Sequence, residues 1–144
     1  MLFSEEKYDV LIVGTGVAGL CCALNLPESA KVLMLSKDAA DRSDSFLAQG
    51  GICVLKSPDD FAQYFDDTMR AGHYENNPDA VKLMIESSPD MIAELVRRGV
   101  SFARDEAGNF RYTREGGHSS PRILFHDDVT GKEITSNLLR EAKE

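Results

Sequence analysis

The sequence predicts an α/β fold with a parallel sheet, and three observations near its start carry that prediction. Tyr8-Asp9-Val10-Leu11-Ile12-Val13 is a short, β-branched-rich apolar run that stops at Gly14, the pattern of a buried strand. Gly14-Thr15-Gly16-Val17-Ala18-Gly19 follows it directly and opens an apolar stretch, Leu20 to Leu26, that ends at Pro27 as a helix should. Lys31-Val32-Leu33-Met34-Leu35-Ser36 then reads as a second buried strand. Strand, helix and strand in this order make a right-handed βαβ unit.

The glycine turn is where this unit acquires chemistry. Gly-x-Gly-x-x-Gly alone is a weak signal, but between a strand and a helix it has the context of a dinucleotide-binding, Rossmann-like fingerprint. Gly14 permits the tight turn, Gly16 lets a pyrophosphate approach the backbone, and Gly19 lets helix and strand pack closely. Around Thr15, Val17 and Ala18, unpaired N–H groups and the positive end of the helix dipole face the phosphates. An acidic residue that would hold the ribose is expected at the end of the second strand. Ser36-Lys37-Asp38 stands there instead, leaving Lys37 or a shifted Asp38 as the candidate contact.

Beyond the unit, residues 38–60 show no period and read as a long functional loop with a short helical turn. Phe61 to Ala71 carries Phe61, Tyr64, Phe65, Thr68 and Met69 at helical spacing. Two further helices are expected, one from Asn77-Pro78 and one from Ser88-Pro89, each with a capping residue before a proline. The second should end before Gly99, with Arg97 and Arg98 in its last turn. Val100 to Ala103 and Phe110 to Tyr112 flank Asp105-Glu106-Ala107-Gly108-Asn109, a hairpin signal. Thr130-Gly131-Lys132-Glu133 is a capping-box pattern, after which Ile134, Leu138 and Ala142 line one helix face.

Composition narrows the function classes. The 144 residues carry 16 Lys and Arg against 24 Asp and Glu, a net charge of −8, so a nucleic-acid partner is not expected. No run of 18 or more apolar residues suggests a membrane span, and the acidic start is unlike a signal peptide, so a cytoplasmic location is the expectation. Cys21, Cys22 and Cys53 lack metal-ligand spacing and read as buried or half-buried reduced thiols. No metal is expected. His118 and His126 read as structural histidines. From the residues alone, Glu115 is a loop carboxylate paired with Arg111 or Arg114.

Ser45-Phe46-Leu47-Ala48-Gln49-Gly50-Gly51, Asp67-Thr68-Met69-Arg70-Ala71-Gly72 and Thr113-Arg114-Glu115-Gly116-Gly117-His118-Ser119, taken with the glycine turn, resemble the L-aspartate oxidases. These belong to the succinate dehydrogenase and fumarate reductase flavoprotein superfamily. The resemblance covers the whole chain but only the first part of such an enzyme. It implies that residues 1–144 are an incomplete FAD-binding domain, truncated before the capping domain and inactive alone. The helix in which the chain stops agrees with that expectation.

The resemblance further implies that Asp44 to Gly51 wrap pyrophosphate and flavin, the small residues Ala48, Gly50 and Gly51 allowing close approach. Asp44 departs from the small hydroxyl residue usual there, and an acid beside phosphates is unfavourable. Membrane-bound relatives carry a flavin-linked histidine near Ser45; this chain has none there, which implies non-covalent FAD. Glu115 matches the glutamate assigned to recognition of the substrate ammonium group. The implied reaction is oxidation of L-aspartate to iminoaspartate by hydride transfer to flavin N5. Oxygen or fumarate reoxidises the flavin in this first step of NAD biosynthesis, and quinolinate synthase is an implied partner. The catalytic arginine of such enzymes would lie beyond Glu144. A succinate- or fumarate-type flavoprotein and a non-catalytic nucleotide-binding module are the alternatives.

Overall fold

The computed structural model describes residues 6–143. By its internal packing the chain divides into two units, Met1–Ala48 with Gly131–Glu144, and Gln49–Thr130.

The first unit contains the βαβ element. β1 (Val10–Val13) and β2 (Val32–Leu35) pair in parallel with Val10 opposite Val32 and Val13 opposite Leu35, and α1 (Val17–Leu24) connects them. Asp9 sets the register at the outer end, its carboxylate accepting from the Lys31 N–H at 2.9 Å. Ile12 points toward α1, where a Cβ on Gly19 would lie 3.3 Å from its Cγ2. The other face is open: Leu11 is 57% exposed and Val13 80%. The strands were expected to be buried on both faces, as parallel strands normally are, but among the described residues only the Ile12 side is covered. α2 (Asp44–Leu47) is the expected short helical turn, with the Ser43 hydroxyl accepting from the Phe46 N–H. The rest of the predicted loop falls in the second unit, where a short strand, β3 (Ile52–Cys53), and a 3₁₀ turn at Pro58–Asp60 interrupt it.

In the second unit, α3 (Phe61–Ala71) and α4 (Pro78–Arg97) pack around Tyr64, Met69, Val81 and Ile85, flanked by Leu55, Phe61 and Phe65. α3 runs as predicted. α4 is one helix where two were predicted, and Pro89 lies inside it. Proline removes the N–H that would bond the Ile85 carbonyl, but the Ser88 hydroxyl donates to that oxygen at 2.7 Å. Ser88 also accepts from the Leu55 N–H at 2.9 Å. The residue read as a cap thus repairs the ladder. Asn77 does cap α4, its side chain accepting from the Asp79 and Ala80 N–H groups, and Gly99 follows the C-terminus with φ of 90°.

β4 (Ile123–Leu124) pairs antiparallel with β3, Cys53 opposite Ile123. The predicted hairpin forms: Arg104 and Phe110 make an antiparallel bridge, flanked by hydrogen bonds from the Asp105 N–H to the Asn109 carbonyl and from the Arg111 N–H to the Ala103 carbonyl. The Ala103 N–H donates to the Phe125 carbonyl, which ties the hairpin to the β4 chain. α5 (Thr130–Glu141) starts where predicted, with Ile134 and Leu138 buried. The Thr130 hydroxyl accepts from the His126 N–H and ties down the preceding turn. Among the described residues no helix is long and apolar enough to cross a membrane.

Ser88→Ala is expected to lower stability by about 1–3 kcal/mol, because it strips partners from Leu55 and Ile85. Urea denaturation reads this, and Pro89→Ala should recover part of the loss by restoring a donor to Ile85. Equal effects of Pro89→Ala with and without Ser88 would show that the hydroxyl does not replace the missing bond.

Candidate dinucleotide site and the Glu115 loop

In the first unit the glycine turn has the geometry its spacing implies. Gly14 sits at φ of 111°, in the left-handed half of conformational space, and its N–H bonds the Leu35 carbonyl at 2.8 Å. A Cβ on Gly19 would stand 2.2 Å from the Gly14 oxygen, so only glycine lets α1 approach β1 this closely. Gly16 is the N-cap of α1, with no side-chain cap and no acidic residue in the first turn. The first-turn amides therefore lack intrahelical acceptors, and the Val17 N–H bonds the Ser45 hydroxyl at 3.2 Å. A Cβ on Gly16 would lie 3.1 Å from that same oxygen. The 14–19 turn and the Ser43–Ala48 segment thus meet at Ser45.

The flanking candidates divide. Thr15 is buried, its hydroxyl within hydrogen-bond distance of Ser36 Oγ and the Ala40 carbonyl, so it ties the turn to the end of β2. Asp38 is engaged locally, accepting from the Ala39 N–H and lying 3.6 Å from Arg42. Lys37 and Asp44 are exposed, as are Val17 and Ala18. Phe46 is half-buried under Lys132, whose Nζ lies 6.0 Å from the ring centre, while Leu47 is 66% exposed. Sequence reasoning missed Gly131: its N–H donates to the Ala48 carbonyl, and a Cβ there would lie 2.1 Å from the Ser45 oxygen. Its place inside the capping-box pattern hid this role.

Gln49, Gly50 and Gly51 belong to the second unit and are exposed. A Cβ on Gly51 would collide with the Leu124 oxygen at 2.2 Å, so β4 itself demands glycine there. At Gly50 the neighbour is Glu115, whose Oε2 would lie 3.6 Å from a Cβ. Glu115 forms a turn in which its carbonyl accepts from the His118 N–H at 3.3 Å and Gly116 takes φ of 57°. The pairing expected with Arg111 or Arg114 is not seen: Arg111 lies over the Phe125 ring, and no described residue forms a salt bridge with Glu115.

Beside this turn lies a buried ionic cluster that sequence reasoning missed. Arg122 has no exposed surface. It bonds Asp60 through Nε at 3.1 Å and Nη2 at 2.8 Å, and Asp67 through Nη1 at 2.7 Å. The Ser119 N–H and hydroxyl donate to the same Asp67 oxygen at 2.8 and 2.6 Å. Burial alone would raise the Asp67 carboxyl, but the Ser119 and Arg122 hydrogen bonds outweigh it and hold it well below the usual carboxylate range. The Arg122 hydrogen bonds likewise depress Asp60. Asp60 and Asp67 are seven residues apart, two helical turns, which was the available signal.

His118 joins this cluster. Its Nδ1 lies 3.0 Å from Arg122 Nη1 and its Nε2 3.1 Å from Cys53 Sγ. Arginine only donates, so Nδ1 must be unprotonated and Nε2 carries the hydrogen toward sulfur. Burial, then the Arg122 charge, lowers the His118 pKa, in keeping with a neutral ring. Cys53, half-buried as expected, has its thiol pKa raised mainly by burial. Cys22 is exposed, against expectation, because it lies on the outer side of α1; none of the three cysteines forms a disulfide. His126 is structural, its Nδ1 2.7 Å from the Ser101 carbonyl. No metal-binding group of three His, Cys, Asp or Glu residues occurs among the described residues.

A model of the family described as "FAD binding domain" matches residues 9–144. The chain belongs to this family. FAD is thus its cofactor, and the residues fit a dinucleotide: an uncapped helix start free of acids, and glycines at the points of close approach. This FAD-binding domain is 46% identical over 135 residues to L-aspartate oxidase of Clostridium perfringens, covering 94% of the chain and 30% of that relative. It is 43% identical to L-aspartate oxidase of Acinetobacter baylyi, over 99% of the chain and 26% of the relative. Among solved structures it resembles quinol fumarate reductase FrdA of E. coli, with a TM-score of 0.88 and 28% identity, covering 96% of the chain and 24% of the other. Sdh1 of Mycobacterium smegmatis gives a TM-score of 0.86 at 30% identity, covering 94% and 24%. The domain therefore spans under a third of the length of the relatives it matches.

The depressed aspartates set an acid limit. A carboxyl whose folded pKa lies below its unfolded value contributes stability above the unfolded pKa and loses it as pH falls through the folded one. Melting temperature should therefore fall steeply below about pH 4, and Asp67→Asn should flatten that slope while lowering stability at neutral pH. An unchanged slope in the variant would show that Asp67 does not govern acid unfolding.

Proposed function

We propose that this domain is the N-terminal part of an FAD-dependent L-aspartate oxidase, a longer enzyme that oxidises L-aspartate to iminoaspartate. The observation that carries this reading is the unpaired Glu115 carboxylate beside Gly50, with its Oε2 3.6 Å from the Cβ position, in the segment expected to approach the flavin. Succinate and aspartate differ by one ammonium group. A carboxylate with no internal cation is free to accept a charge-assisted hydrogen bond from it, worth about 1.5–3 kcal/mol.

The remaining roles follow from the chain's own residues. The amides of residues 15–19, at the start of α1, bind the pyrophosphate in a Rossmann-like manner, and Gly14, Gly16 and Gly19 give them access. Ser45 orients that helix start through the Val17 N–H. Lys37 is exposed at the end of β2, within the region that meets a ribose in such folds. Ala48 to Gly51 approach the flavin with small side chains. When bound, FAD supplies the two-electron acceptor, held non-covalently, with oxygen or fumarate regenerating it. The exposed apolar face of β1 and β2 supports further layers in the complete enzyme. The domain alone is inactive, the enzyme works in the cytoplasm in NAD biosynthesis, and its product passes to quinolinate synthase. The likeness to fumarate reductase and to Sdh1 supports a second reading, a dicarboxylate flavoprotein; Glu115 weighs against it.

In the complete enzyme, Glu115→Gln should raise the KM for L-aspartate about tenfold to a hundredfold while leaving succinate inhibition unchanged. If aspartate and succinate keep their relative affinities, the second reading replaces the first. Gly16→Val should displace Ser45 and weaken FAD affinity at least tenfold, read by flavin fluorescence titration; intact affinity would remove the pyrophosphate role of the turn.

A further inference from the structure

We infer that Arg122, acting through Asp67, His118 and Ser119, is a positioning residue that presents Glu115 to the substrate ammonium group. The inference rests on the reading of Glu115 as the recognition carboxylate. Glu115 sits at the tip of a closed loop. At the base, Thr113 and Ile123 exchange backbone hydrogen bonds of 2.9 and 3.1 Å. At the tip, Gly116 and Gly117 have no side chains with which to hold a conformation. Apart from a 3.5 Å contact from Arg70 to the Gly117 carbonyl, the fixed points nearest the tip are His118, set by Arg122 at Nδ1, and Ser119, held to Asp67 by both its N–H and its hydroxyl. The Glu115 carbonyl is tied to the His118 N–H, so the backbone that carries the carboxylate follows His118.

The same cluster keeps Glu115 unpaired. Arg122 is the cation buried behind the loop, and both arms of its guanidinium are used by Asp60 and Asp67. Arg70 adds a second cation on Asp67 at 2.6 Å. With its donors directed to these carboxylates and to His118, Arg122 has none aimed at Glu115. A lysine could not take its place: one ammonium cannot span two carboxylates and a ring nitrogen with the reach of a planar fork.

Ser119→Ala is the discriminating variant, because it removes one hydroxyl bond without stranding a buried charge. In the complete FAD-loaded enzyme it should raise the KM for L-aspartate about three- to tenfold, with kcat, FAD retention and succinate inhibition unchanged. In a Glu115→Gln background that effect should vanish, the signature of coupling through one carboxylate. Arg122→Lys should show the same split more strongly wherever it folds. Equal loss of aspartate and succinate binding, or an undiminished Ser119→Ala effect without Glu115, would reduce the cluster to a purely structural role. If Glu115→Gln itself leaves the aspartate-to-succinate ratio unchanged, the reading of Glu115 fails and this inference fails with it. If Glu115→Gln shifts the ratio and Ser119→Ala does not, only the positioning role is lost.

Discussion

A guanidinium with no exposed surface must find a partner for its charge and for its donors inside the protein. Arg122 finds Asp60, Asp67, Ser120 and His118, and the second unit is organised around that requirement. Asp60 ends the 3₁₀ turn just before α3 and Asp67 lies in the middle of that helix, while Arg122 directly precedes β4. Satisfying the arginine therefore docks α3 against the β4 chain. It also dictates the protonation of His118 and, through Ser119, the loop that carries Glu115. A buried ion pair is not by itself a strong source of stability, since desolvation offsets the attraction. Its value here is geometric: a planar fork with fixed donor directions admits few arrangements of its partners.

The first unit depends on the opposite kind of constraint, the absence of side chains. Gly19 meets the Gly14 carbonyl where no Cβ would fit, and at Gly16 a Cβ would crowd the Ser45 hydroxyl at 3.1 Å. These approaches leave the start of α1 uncapped by protein carboxylates, which suits an anion. Ser45 fills one amide site and so links the turn to the Asp44–Leu47 helix. Gly131 brings the start of α5 onto the same segment. The glycine turn is thus braced from two later parts of the chain.

Local patterns were legible in the sequence wherever the physics was local. The βαβ unit, α3, the Asn77 cap, the end of α4 at Gly99 and the start of α5 all follow from spacing, capping chemistry and glycine placement. The 100–112 hairpin also forms as its turn residues imply. Ser88-Pro89 misleads: it carries a true helix-start signal, yet a hydroxyl that bonds Ile85 and Leu55 turned it into a helix interior. There a contact distant in sequence outweighed a local preference.

For the site, the sequence by itself marked Gly14, Gly16 and Gly19 as places where the backbone goes without side chains, because glycine spacing between a strand and a helix has few other uses. It also marked Glu115, through the motif around it. Only the tertiary structure decided that Glu115 stands free of Arg111 and Arg114. Only the fold brought Asp60, Asp67, His118 and Arg122 together from two distant stretches of chain. Backbone approach is encoded residue by residue, whereas the pairing of a buried charge is a property of whichever segments the fold places around it.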